Sequence, residues 1–220
     1  MSNLGSKRGP YARSLKRRED IASAVLELID EVGHEGVTTT LVADRSGISE
    51  ATVLYHFPSK DHMLVAALQR ADELTAAESG VTDLFSSDFE PDPHGLDLFA
   101  DTLSATSGVD TSARARLLYM LRGQAATPGS PAATYFEERD ARSIGIFAKL
   151  IQARQSAGLA HPAVNARDAA TQFIAMWNGL GAMAFLHDDV EVNRLLLQAL
   201  RLLLGEQVMA ARMRLDDLQP

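Results

Sequence analysis

Residues Thr38 to Lys60 read TTTLVADRSGISEATVLYHFPSK, and the order of these residue types decides the fold. Thr38 is a helix-capping residue, and Leu41, Val42 and Ser46 after it are the expected inward side of a first short helix. Gly47 supplies the backbone freedom to leave that helix. Ile48 is an apolar plug between the pair, and Ser49 caps a second helix over Glu50 to Phe57. Pro58 stops it, because the residue before a proline avoids helical backbone. On this second helix Val53 and Phe57 stand four apart and face inward. Glu50, Ala51, Thr52, Leu54, Tyr55 and His56 are left on the outer side. A helix of about two turns is too short to stand alone. Held out by its neighbours, with a polar and aromatic outer face, it suits reading base edges in a DNA groove.

With the helix before it, this segment resembles the DNA-binding domain of the TetR family of bacterial transcriptional regulators. The resemblance starts near Leu15 and is closest over Val37 to Leu64. It rests on Thr38, Val42, Ala43, Ser46, Gly47, Ile48, Ser49, Thr52, Val53, Tyr55, His56, Phe57 and Lys60 in unbroken register. Leu54 departs from the pattern, which usually has an aromatic there; it offers apolar contact to a thymine methyl instead. The resemblance implies a homodimer whose two recognition helices enter successive major grooves of a palindromic double-stranded operator. Thr52, Leu54, Tyr55 and His56 would then meet bases and nearby backbone, with Thr38 and Ala51 on the same surface. Glu50 would accept from a cytosine amino group. Lys60 and the basic N-terminal arm, including Arg17 and Arg18, would hold phosphates, which sets register without reading sequence.

The chain has 220 residues, 46% of them hydrophobic, enough for a real core. It has no cysteine, which excludes disulfides, thiolate metal sites and cysteine nucleophiles. No apolar run approaches a membrane span, and Met1 to Leu15 is basic and polar without an apolar stretch, so no membrane contact and a cytoplasmic location are expected. The net charge of −8 is unevenly divided. Residues 1–70 carry nine Lys/Arg and nine Asp/Glu, whereas residues 71–220 carry twelve and twenty. Lys7, Arg8, Arg13, Lys16, Arg17 and Arg18 all precede the first acid. A locally basic end on an acidic molecule fits DNA at one end.

Helical periodicity runs through the whole chain and no segment alternates like a strand. The pattern predicts a first helix over Leu15 to Val32, with Ile21, Ala24, Val25, Leu28 and Ile29 as its apolar stripe and Gly33 and Gly36 as its break. Ser59 caps a fourth helix over Lys60 to Ala77, and Glu78 to Pro93 reads as a linker. Short helices fit His94 to Ala105 and Thr111 to Ala126. Thr127-Pro128-Gly129 is a turn; Ser130 and Pro131 then open a helix ending at Ala157, before Gly158. Asn165 starts another, ending near His187, and a last one spans Val190 to Arg214. In that last helix Leu195, Leu196, Ala199, Leu200 and Leu203 form one stripe, while Leu197, Leu204 and Val208 lie on another side. A helix apolar over so much of its circumference needs cover on two sides, and the preceding helix, with Phe173, Trp177, Leu180 and Ala184, is similar. Pairing of both with their copies in a second subunit meets that need.

The expectation is therefore an all-α chain in three parts. Residues 1–14 form a flexible basic arm, 15–60 a three-helix helix-turn-helix DNA-binding domain, and 61–220 a helical bundle for ligand binding and dimerisation. No catalytic or metal site is expected. The histidines at 34, 56, 62, 94, 161 and 187 make no His-x-x-x-His or Glu-x-x-His pair, and no nucleophile elbow, phosphate loop or dinucleotide fingerprint occurs. Nor is a cofactor expected. The resemblance implies an effector site in the larger domain for an unidentified small molecule. Phe99, Leu103, Leu117, Met120, Phe147, Phe173, Trp177 and Asn178 are its candidate residues, taken from an apolar set whose members also serve as core. The alternative, from another class, is a helical small-molecule-binding protein whose helix-turn-helix is a structural or protein-docking module.

Overall fold

The computed structural model describes residues 9–78, 91–96, 112–206 and 209. The protein is all-α, with eight helices and no strand among the described residues. The described residues up to 78 and from 112 to 136 form one compact unit; residues 91–96 and 137 onward form a second.

In the first unit α1 runs over Gly9–Gly36. It begins before the expected Leu15, so Arg13 stands on a helix and not in a flexible arm; Lys7 and Arg8 lie outside the described residues. Gly33 breaks α1 as expected, at φ 72° and ψ 163°, backbone open only to glycine at low cost. Ile21, Ala24, Val25, Leu28 and Ile29 are all buried. α2 (Thr39–Ser46) and α3 (Glu50–His56) follow, then α4 (Lys60–Glu78), which packs along α1 through Met63, Leu64, Ala67 and Leu68. α5 (Ala113–Ala125) lies on α1 and α4, adding Leu117 and Leu121 to the same core. The Arg114 guanidinium grips both oxygens of Asp30 on α1, and Tyr135 donates to Asp72 on α4 at 2.7 Å. This packing unit is thus wider than the segment 15–60, because α4 and α5 close its core.

α6 (Ala132–Ser156) starts in the first unit and continues into the second. Ser130 accepts from Ala132 N at 3.2 Å, and Gly158 (φ 73°) follows its end. In the second unit α7 (Ala166–Met183) is capped by Asn165, which accepts from Arg167 N and Asp168 N, and α8 (Val192–Leu203) packs against it. Phe173, Ile151, Leu196, Leu200 and Leu204 form the core. Arg154, buried on α6, donates to the Pro93 carbonyl at 3.2 Å and to Glu206 at 3.1 Å.

The last helix corrects the expected Val190 to Arg214. α8 ends at Leu203, because Gly205 adopts φ 65° and the Leu204 carbonyl accepts from His161 N at 2.9 Å. Leu204, expected on an outward side, is 0% exposed in the core of its own unit. Val208 lies outside the described residues.

Candidate nucleic-acid interface

The two short helices form from local signals. Thr38, in extended backbone, accepts from Leu41 N at 3.2 Å and so caps α2. Gly47 ends it in the left-handed region at φ 65° and ψ 34°, with its N–H on the carbonyls of Ala43 and Asp44. Ser49 accepts from Thr52 N at 3.2 Å and caps α3, while Phe57 leaves the helix extended at φ −136°. Val42 is buried as expected. Leu41 is not: it is 39% exposed, and Ala43 takes the inward place, since α2 turns only one narrow side to its neighbours. Ile48 packs against the core from the turn.

α3 is fixed by Val53 and Phe57, at 0% and 1% exposure. Burying each is worth roughly 1.5–3 kcal/mol, which holds a helix too short to persist alone. Glu50, Ala51, Leu54 and Tyr55 are exposed on its other sides, with Thr52 and His56 half-buried. Thr52 pairs its hydroxyl with Ser49 Oγ at 2.8 Å. Glu50 accepts from Thr40 Oγ1 at 3.1 Å; a carboxylate has room for further donors. Thr40 was not among the expected residues, and no spacing could have named it, because the bond joins two different helices. Tyr55 and His56 stand edge to face with centroids 5.2 Å apart. Burial, followed by the charges of Arg18 and Arg17, holds the His56 imidazole below its ordinary pKa.

The expected phosphate anchors behave unequally. Arg17 is exposed on α1. Lys60 Nζ donates to the Glu35 carbonyl at 2.8 Å, which ties the start of α4 to the chain after Gly33. Arg18 turns back to α3, donating to the His56 carbonyl at 2.5 Å with its guanidinium 4.4 Å above the Phe57 ring. On the far side of α2, Arg45 bridges Glu27 at 3.2 Å and Glu31 at 2.6 Å; its hydrogen bond lowers the Glu31 pKa.

The candidate effector residues do not all come together. Phe147, Phe173 and Trp177 meet in the second unit, with centroids 5.0 Å apart for Phe147–Phe173 and 5.9 Å for Phe173–Trp177, and Asn178 half-buried next along α7. Leu117 and Met120 belong instead to the core of the first unit, where α5 packs on α1. Phe99 and Leu103 lie outside the described residues.

A capped helix, a left-handed glycine and a second short helix with its apolar side buried and its polar side outward define a helix-turn-helix of the kind that docks in a DNA groove. Residues 21–67 match the model for bacterial regulatory proteins of the tetR family. Over these residues the chain is similar to that family's DNA-binding domain. The transcriptional repressor KstR of Rhodococcus jostii is 41% identical over 58 residues, 26% of this chain and 27% of that repressor. KstR of Mycobacterium tuberculosis is 40% identical over 69 residues, 31% of this chain and 29% of the repressor. The regulator RutR of Escherichia coli is 29% identical over 75 residues, 34% of either chain. The chain thus matches only about a quarter to a third of the length of these relatives. Whole-chain likeness is one of fold. A TetR regulator from Haloarcula marismortui has a TM-score of 0.65 at 22% identity, covering 87% of this chain and 97% of its own. A transcriptional regulator from Saccharomonospora viridis, solved with choline, gives 0.61 at 23% identity, covering 85% and 94%. Among the described residues no helix is long and apolar enough to cross a membrane.

Proposed function

We propose that the protein is a cytoplasmic, ligand-responsive transcriptional repressor that binds a palindromic operator as a homodimer. The observation that carries this is the division of α3: Val53 and Phe57 are wholly buried while Glu50, Ala51, Leu54 and Tyr55 project from the opposite sides. Leu54 suits a thymine methyl, Glu50 suits a cytosine amino group, and Thr52, Tyr55 and His56 suit bases or the nearby backbone. Thr38, Arg17, Lys60 and the basic residues before Arg17 supply phosphate contacts. The second unit takes a small effector beside Phe147, Phe173, Trp177 and Asn178. Effector and operator are then linked through one conformational equilibrium, so that each weakens binding of the other. No catalytic step enters this function.

Selection of genomic fragments by the purified protein, followed by gel retardation, tests it. A retarded fragment with an inverted repeat is the expected result. If no fragment is retarded even at low salt, the helix-turn-helix is a structural or docking module on a small-molecule-binding protein.

A further inference from the structure

The C-terminal end of α3 is held by a residue from outside the helix-turn-helix. The last carbonyls of any helix lack partners within it. In α3 the His56 carbonyl is one of these, since the backbone turns extended at Phe57 and the last helical bond is Phe57 N to Val53 O at 2.8 Å. Arg18 Nη1, from a position 38 residues earlier on α1, donates to that carbonyl at 2.5 Å. The same guanidinium covers the ring of the buried Phe57, 4.4 Å from its centroid. A cation there also complements the negative end of the helix dipole. A planar guanidinium holds a carbonyl and lies on a ring at once; an ammonium does not reproduce both contacts.

We propose that Arg18 is a positioning residue for operator recognition: it fixes the end of α3, and with it the depth and angle at which Leu54 and Tyr55 meet base edges, and it is not a phosphate anchor. This rests on the DNA-binding role proposed above. Contacts to base edges depend on hydrogen-bond distance and angle, whereas a point-charge contact to phosphate depends on them far less. Loosening α3 therefore weakens specific binding and spares non-specific binding. Burial first, and then the Arg18 charge beside it, lowers the His56 pKa.

The test uses a duplex recovered by the full-length protein from a random-sequence DNA pool, and a scrambled duplex of equal length. Affinities of the wild type, Arg18→Gln and Arg18→Lys are measured over a potassium chloride series, with thermal melting and amide hydrogen exchange of the free proteins. Arg18→Gln is expected to bind the selected duplex about tenfold more weakly, a difference of about 1.4 kcal/mol. It should bind the scrambled duplex as the wild type does, with an unchanged salt slope and faster exchange across α3. Arg18→Lys, which keeps the charge and loses the stacked fork, should also lose affinity for the selected duplex. The proposal is overturned if Arg18→Gln shallows the slope by about 0.9 on both duplexes while Arg18→Lys matches the wild type, because that is the signature of one phosphate contact. It is equally overturned if Arg18→Gln keeps full affinity for the selected duplex. Should Arg18→Gln fail to fold, Arg18→Lys decides by its affinity alone. A wild type that recovers no duplex overturns the DNA-binding role itself, and this proposal with it.

Discussion

Tyr55 is 84% exposed, so its ring contributes little to packing, and replacing it tests contact chemistry without disturbing the fold. Tyr55→Ala should leave the melting temperature unchanged and cost about 1–3 kcal/mol on a selected operator, with non-specific binding nearly constant. Fluorescence anisotropy with both duplexes checks this; full operator affinity in the variant would move the docking surface away from Tyr55. His56 gives a second test through pH. Its pKa is lowered from 6.5 by burial first, then by Arg18 and Arg17. As pH falls below 6.5 the unfolded chain therefore takes up this proton before the folded one does, and acidification destabilises the free protein until the lower folded pKa is passed. A DNA phosphate beside the ring acts in the opposite direction, favouring the imidazolium. Operator binding should thus take up a proton and raise the His56 midpoint, which ring-proton NMR with and without DNA would follow. A midpoint in the free protein at or above 6.5 would contradict the environment seen here.

The caps of α2 and α3 are local devices, and each has a separable cost. Ser49→Ala removes the acceptor for Thr52 N and should destabilise the first unit by about 1 kcal/mol in urea denaturation. Gly47→Ala meets no atom within 4 Å of the added carbon, so its cost is backbone conformation alone at φ 65°, about 1–2 kcal/mol. A neutral Gly47→Ala would mean that the turn is not left-handed. These features were legible in the sequence because each depends on a few consecutive residues: Thr38, Gly47, Ser49 and Asn165 all stand where their residue types require. Val53 and Phe57 were legible from their spacing. Leu41 was not, because two adjacent apolar residues, Leu41 and Val42, point about 100° apart on a helix and only packing decides which is covered. The end of α8 was hidden for a similar reason, set by the His161 N–H reaching the Leu204 carbonyl across the unit. Thr40 on Glu50, Arg18 on His56 and Lys60 on Glu35 likewise join separate elements, and periodicity carries no trace of them.

Composition alone could not tell that the apolar set proposed for an effector divides between two cores, Leu117 and Met120 in one and Phe147, Phe173 and Trp177 in the other. Hydrophobicity marks what is buried and not which core buries it. The same limit reshapes the dimer. One recognition helix on half a palindrome touches too few phosphates and bases for a useful regulator, so the proposed function requires a second subunit. Leu204 was an attractive interface residue by periodicity, yet it is wholly buried within its own unit. The large apolar side chains left to solvent on the α7–α8 pair and the loop after α7 are Met183, Leu186 at 80% and Leu202 at 60% exposure. The second subunit of the proposed dimer would cover these groups, and across a two-fold axis each would face a copy of the same surface. Replacing Leu186 and Leu202 with Glu would bury four like charges in such an interface, at a cost of several kcal/mol. The double variant should sediment near the 23.8 kDa of one chain, keep its helical circular dichroism, and lose operator affinity by orders of magnitude. Leu204→Glu should instead melt the second unit, since it places a charge in a core that contains Phe173 and Leu196. A Leu186→Glu, Leu202→Glu protein that sediments as a dimer would place the interface elsewhere. A stably folded Leu204→Glu monomer would restore that leucine to the subunit boundary and refute the packing described here.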